Sequence, residues 1–169
     1  MTAKNDPCPA NTIWFYSTQE ESNPCRTFSN FWPAPFVIEG REWKTSEHYF
    51  QAMKFVGSKD DFEFVAACKS PMDAAAAGRD RSRPLRPDWE AVKDNIMFDA
   101  VYAKITQNEM LLSILMDTGD KIIVERTSND RYWGDGGDGT GKNMLGITLM
   151  RVRDKIRAER GATAATKTE

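Results

Sequence analysis

Histidine and cysteine are scarce in this chain. It has one histidine, His48, and three cysteines, Cys8, Cys25 and Cys68, none of them in a Cys-x-x-Cys pair. A His-rich metal centre is excluded, and an odd number of scattered thiols argues against a disulfide framework and a structural zinc site. Long apolar runs are missing too. Nothing reaches the roughly 20 residues that a membrane helix needs, and the opening MTAKNDPCPANT has no apolar signal core. Net charge is only −2, so no general basic field draws the chain to nucleic acid or an anionic membrane. The expectation is a reducing compartment and a cytoplasmic, or nuclear, location with no membrane partner.

What is present fits one globular domain. The chain has 169 residues, 40% hydrophobic and 28% charged, enough to bury a core without staples. Residues 1–12 are polar and broken by proline, and residues 159–169 carry few bulky apolar groups. Both are expected as flexible tails around a domain at 13–158. Within it, Thr12 to Ser17 reads as a strand and Phe36 to Trp43 as a hairpin turning near Gly40. A helix starts after Thr45 or Ser46 and runs to about Val56. KDDFEFVAACK is a second helix. SPMDAAAAG is a third, with Ser70 as cap, Pro71 at its first position and Gly78 as stop. The longest runs from about Pro87 to Thr106. Asn108 caps another that stops near Gly119. Lys121 to Arg126 reads as a strand, and a last amphipathic helix carries Leu145, Thr148, Leu149, Val152 and Ile156 on one face. The class is α+β, a mainly helical single domain with a small β-sheet.

Six of the eleven glycines crowd into YWGDGGDGTGKNMLG, Tyr132 to Gly146. Gly136, Gly141 and Lys142 fit a phosphate-binding P-loop, but Asn143 stands where the magnesium-binding Ser or Thr belongs. A calcium loop fails as well, with Gly137 and Thr140 at positions that need a ligand and a glycine. What remains is a tight loop with two acids, Asp135 and Asp138, between Trp133 and a helix N-terminus. Such a loop admits a ligand close to its backbone. A Gly-rich turn without a ligand accounts for the same residues.

A second constellation lies upstream. SNFWP sets Ser29 and Asn30 beside Phe31 and Trp32, where a planar ligand would stack and Asn30 would bond its edge, or where a core corner simply closes on Pro33. Glu47, Gln51 and Lys54 recur at i, i+4 and i+7 and share a helix face flanked by Phe50 and Phe55. A plain surface ladder has the same spacing. His48 points about 100° away and reads as structural. On the long helix, Lys93 falls within the apolar arc of Trp89, Val92, Ile96 and Ala100. A lysine so placed either snorkels or is a desolvated amine fit for covalent chemistry. Arg79, Arg81 and Arg83 form a basic patch in GRDRSRPLR.

Together FSNFWPAPFVIEGREWKTSEHYFQAMKF, SPMDAAAAGR, DWEAVKDNIM, KITQN and YWGDGGDGTGKNMLGITLMRVR resemble the NADAR family of N-glycosidases, in that family's order, from about Ile13 to Arg157. The resemblance implies the family's compact α+β fold and hydrolysis of N-glycosidic bonds, with no metal or redox cofactor. Two substrate classes follow from it. One is ADP-ribosylated guanine, in nucleic acid or as free nucleotide. The other is the phosphoribosyl-aminopyrimidines of riboflavin synthesis. A non-catalytic ADP-ribose-binding module is the rival reading. Carried onto this sequence, the resemblance makes Glu47 the central acid or base, and Asp135 a second carboxylate. Lys54, then Lys93, is the candidate for a Schiff base with opened ribose. Ser29, Asn30 and Phe31 would frame the base, Trp133 and Asp135 would line the ribose and base pocket, and Asn143 and Gly146 would hold the loop against ribose or phosphate, with Gln51, Trp89 and Gly134 as further substrate contacts and Arg79 as a phosphate contact. This reading requires Glu47 and the Trp133–Asp135 turn to meet around one sugar carbon.

Overall fold

The computed structural model describes residues 8–16 and 22–166. In chain order the elements are β1 (Thr12–Phe15), β2 (Phe36–Ile38), β3 (Arg41–Trp43), α1 (Ser46–Ala52), α2 (Lys59–Ala66), α3 (Pro71–Arg79), α4 (Trp89–Thr106), α5 (Glu109–Asp117), β4 (Ile122–Glu125) and α6 (Met144–Thr166). Short 3₁₀ turns cover Pro24–Phe28 and Met53–Phe55. The architecture is mainly helical α+β. The strands form two separate pairs, β1 parallel to β4 and β2 antiparallel to β3.

Within the domain, contacts divide into two compact units, Thr27–Leu112 and Met1–Arg26 with Ser113–Glu169. In the first, β2 and β3 join through Glu39 and Gly40, both at positive φ (50° and 77°), the twist that a two-residue hairpin loop demands. Thr45 caps α1 by accepting the His48 amide at 3.3 Å. Every residue of α1 is buried, so it is a central helix with no solvent face. Its Tyr49 and Phe50 anchor an aromatic core. Trp43 meets Tyr49 edge-on at 5.2 Å, and Phe50 meets Trp89 at 4.9 Å. α3 opens on a capping box between Ser70 and Asp73, with Pro71 at its start.

In the second unit α6 packs on β4. Leu145, Thr148, Leu149, Val152 and Ile156 are all buried, the stripe that helical periodicity predicts. Arg153, also buried, donates 2.8 Å to Thr118 Oγ1 and 2.9 Å to the Lys121 carbonyl, pinning the turn before β4.

Several boundaries differ from the sequence reading. Gly78 lies inside α3, which ends at Arg79 with Asp80 as its C-cap, so it is no stop. The long helix begins at Trp89, and α2 ends at Ala66, short of Cys68. α6 continues to Thr166, past the boundary expected at 158, because Ala-rich GATAAT sustains a helix that needs no apolar face. Residues 1–7 and 167–169 of the expected tails, and Ser17 of the expected first strand, lie outside the described residues.

Candidate active site

In the first unit α1 and the turn after it aim Glu47, Gln51 and Lys54 along one face. Glu47 is 7% exposed and accepts a 2.7 Å bond from Gln51 Nε2. The Gln51 Oε1 atom has no hydrogen-bond partner and lies over the Gly78 backbone. A Cβ at Gly78 would come within 1.8 Å of it. Gly78 is thus required for close approach, which explains a glycine still inside the last turn of α3.

The Gly78 carbonyl accepts from Lys54 Nζ at 3.2 Å and from Arg81 Nη2 at 2.5 Å. Lys54 is 8% exposed, and its ammonium lies over the rings of Phe50 (5.7 Å) and Trp89 (5.4 Å). Burial pushes its pKa down to about 8, helped by Arg81 and Arg79 and opposed by Glu47 and Glu90. A substantial neutral fraction therefore exists near physiological pH. Trp89, buried, is a wall of this lysine's enclosure. Lys93, in contrast, donates to Glu90 on its own helix. Arg79 caps the same corner, its carbonyl accepting from Arg81 Nε at 3.1 Å and its side chain exposed.

The Ser29–Asn30 turn meets the start of α1. The Asn30 carbonyl accepts the Glu47 amide at 3.0 Å, and Asn30 Oδ1 accepts Ser46 Oγ at 3.0 Å. Both of these Asn30 oxygens are engaged within the turn. Ser29 Oγ accepts the Phe31 amide at 3.2 Å, leaving the Phe31 ring half-buried beside Asn30. His48 is structural, as expected. Its ring nitrogens bond Thr45 Oγ1 (2.8 Å) and the Cys68 carbonyl (3.1 Å), and burial lowers its pKa.

One residue of this unit escapes the sequence reading. Lys104 is 1% exposed, and its Nζ donates 2.8 Å and 2.7 Å to the carbonyls of Thr27 and Ser29. The signal was available: Lys104 falls four residues after Ala100, on the extension of the Trp89, Val92, Ile96, Ala100 stripe.

In the second unit the Gly-rich loop is tied down from inside. The Asp135 carboxylate, 3% exposed, accepts from Arg126 Nη1 (2.9 Å), the Thr127 amide (3.1 Å) and the Gly137 amide (2.8 Å). Gly136, Gly137 and Gly139 all have positive φ, which the winding backbone requires. Asn143 (φ 52°) accepts the Glu125 amide and donates to the Ile123 carbonyl. A Cβ at Gly146 would stand 2.1 Å from the Ile123 carbonyl, and one at Gly134 would stand 2.4 Å from Thr127 Cγ2. Trp133 meets Tyr132 edge-on at 5.1 Å, with the Lys142 ammonium over Tyr132. The exposed Asp138 pairs with Arg131 at 3.3 Å. Among the described residues, no three His, Cys, Asp or Glu side chains are grouped to hold a metal ion. No described helix is long and apolar enough to cross a membrane.

The NADAR domain profile matches residues 14–157. The chain belongs to the NADAR family. Among NADAR relatives, the N-glycosidase YbiA of Escherichia coli is 47% identical over 148 residues, covering 88% of this chain and 90% of that protein. Its NMR structure matches with a TM-score of 0.80 at 46% identity, covering 89% of this chain and 87% of that one. An N-glycosidase of Nostoc punctiforme is 44% identical, covering 86% of this chain and 93% of its own length. The riboflavin biosynthesis protein PYRR of Zea mays is 35% identical over 89% of this chain, which spans 26% of that longer protein.

Proposed function

We propose that this NADAR-family N-glycosidase removes ADP-ribose from guanine bases, in nucleic acid or guanosine, reversing ADP-ribosylation. The observation that carries the reading is Lys54: a buried amine, its pKa near 8, beside Glu47 and overlooked by two arginines. Breaking a ribosyl C–N bond leaves positive charge at C1′ and negative charge on the base. A proton goes to O4′ as the C1′–O4′ bond opens, which leaves the base nitrogen joined to C1′ as an iminium. The neutral Lys54 amine adds to C1′, giving an aminal; the bond from C1′ to the base nitrogen then breaks, its electron pair leaves with that nitrogen, which takes up a proton, and a lysine imine remains. One water then hydrolyses the imine, freeing ADP-ribose and the amine. Glu47, steadied by Gln51, is the acid and base that moves those protons. The Asn30 carboxamide and the Phe31 ring suit the edge and face of a purine. Arg79 and Arg81 suit a diphosphate, which is the feature that favours ADP-ribose over a single phosphate.

A second reading, hydrolysis of phosphoribosyl-aminopyrimidines, draws on the likeness to the maize riboflavin protein. The test offers the protein guanine-ADP-ribosylated DNA and, separately, the aminopyrimidine ribotide. Free ADP-ribose and restored guanine are expected from the first. Turnover of the ribotide alone would replace the first reading by the second. Thermal stabilisation by ADP-ribose with no base released from either would make the protein a binding module. Glu47→Gln, still folded, abolishes turnover on this mechanism.

A further inference from the structure

The geometry points to Lys104 as a positioning residue for Glu47, acting through the Thr27–Ser29 turn. Its bonds among the described residues go to two backbone carbonyls and to no carboxylate. A buried ammonium without a counter-charge is a poor way to fill core space, since an apolar side chain of similar length needs no desolvation. Burial alone pushes its pKa down to about 7, with no opposing charge. What the amine secures is the chain's path at two points, Thr27 and Ser29.

That path leads directly to the reacting acid. The Ser29 carbonyl also receives the Trp32 amide at 3.1 Å, closing the turn that presents Asn30. Asn30 in turn receives the amide of Glu47 and the hydroxyl of Ser46. α1 therefore starts where the turn places it, and the turn is held where Lys104 holds it. Two donors on one rigid helix fix the turn against sliding, whereas apolar packing would fix only its distance from α4. The inference rests on the glycosidase reading for its kinetic readout, but not for its structural one.

The test is Lys104→Met, which keeps length and removes both donors. Amide hydrogen exchange is measured without substrate, and kcat and KM with it. Exchange at Glu47 and Trp32 is expected to quicken by about tenfold or more, while Gln107, bonded within α4, stays as in the wild type. Misplacing the acid should lower kcat by about 100-fold with KM changed far less, at undiminished thermal stability. Unchanged exchange at Glu47, or a kcat loss that only follows the folded fraction, overturns the proposal. Should the methionine variant not fold, Lys104→Gln carries the test. Its shorter arm reaches one carbonyl, so exchange at Glu47 still quickens and kcat falls about tenfold; wild-type values of both overturn the proposal. A wild-type protein inactive on both substrates would remove the proposed function and leave the exchange test standing.

Discussion

Replacing Gly78 with alanine drives a methyl group into the side chain that steadies Glu47. The new Cβ would stand 1.8 Å from Gln51 Oε1 and 2.6 Å from its Cδ, so the amide must swing away. In doing so it breaks the 2.7 Å bond to Glu47. A hydrogen bond to a charged group contributes about 1.5–3 kcal/mol, and alanine in the last turn of α3 returns no more than the roughly 0.5–1 kcal/mol it gains over glycine in mid-helix. The net loss of stability is therefore about 1–2 kcal/mol, a few degrees in Tm. Activity suffers more, because Glu47 loses its orienting partner, and kcat should fall about 100-fold. Gln51→Ala alone should behave similarly. In the double variant Oε1 and Cδ are gone, and of those three contacts the Cβ of residue 51 remains, at 3.1 Å, which a small helix shift relieves. The second substitution then adds little to the first. The assay is a double-mutant cycle on kcat/KM and unfolding free energy. Effects of Gly78→Ala and Gln51→Ala that simply multiply would refute the coupling, as would wild-type turnover in Gly78→Ala.

Lys54→Met should lower kcat by about 100- to 10,000-fold, and borohydride added during wild-type turnover should trap a sugar adduct on Lys54. An adduct mapped to Lys93 would reassign the amine. Because the neutral amine is the reacting form, kcat/KM should fall as pH drops below about 8; a profile flat from pH 6 to 9 counts against it. Lys104 has a folded pKa of about 7, well below the roughly 10.4 of an unfolded lysine. The unfolded chain thus binds the extra proton between those values. Stability should rise with pH across that window, by up to about 1.4 kcal/mol per pH unit, and stay flat below it. Denaturant titrations of wild type and Lys104→Met at pH 6, 8 and 9.5 should show the steeper rise in the wild type, with the variant keeping only the contribution of Lys54 above about pH 8. Asp135→Asn keeps an oxygen for the Thr127 and Gly137 amides but turns an NH2 donor toward Arg126 in place of the charged oxygen. About 1–3 kcal/mol of stability should go with it, read as a lower Tm and faster proteolysis of the loop.

Local signals were legible in the sequence and long-range ones were not. The Thr45 cap, the Ser70 cap, the turn at Gly40 and the α6 stripe each depend on neighbours within a few residues, and each forms where its pattern says. Gly78 was read as a helix stop because glycine both ends helices and admits close contact; only the arrival of Gln51, 27 positions earlier, decides which. The spacing of Glu47, Gln51 and Lys54 foretold a shared face, but not that Lys54 would be walled by Phe50 and Trp89. Lys93 and Lys104 both lie along the apolar side of α4, and the stripe pattern alone does not tell them apart. The difference is that Lys93 meets Glu90 and Lys104 meets bare carbonyls, and no one-dimensional pattern records that. The partners of Asp135 were hidden for the same reason, since the chain must first double back to bring Arg126 and Thr127 to it.

Asn143 and Asp135 together do the work of an absent strand. The outer rim of β4 presents the carbonyl of Ile123 and both backbone groups of Glu125, which a third strand would ordinarily satisfy. The carboxamide of Asn143 takes the first carbonyl and the Glu125 amide, and the Asp135 amide takes the second carbonyl at 3.0 Å. A two-stranded parallel ribbon so sealed has no ladder on that side for a neighbouring molecule to extend. Asn143→Ala leaves the Ile123 carbonyl and the Glu125 amide without those partners under the first turn of α6, where Gly146 already stands over that carbonyl, and puts alanine at φ 52°; the expected penalty is a lower Tm in thermal unfolding.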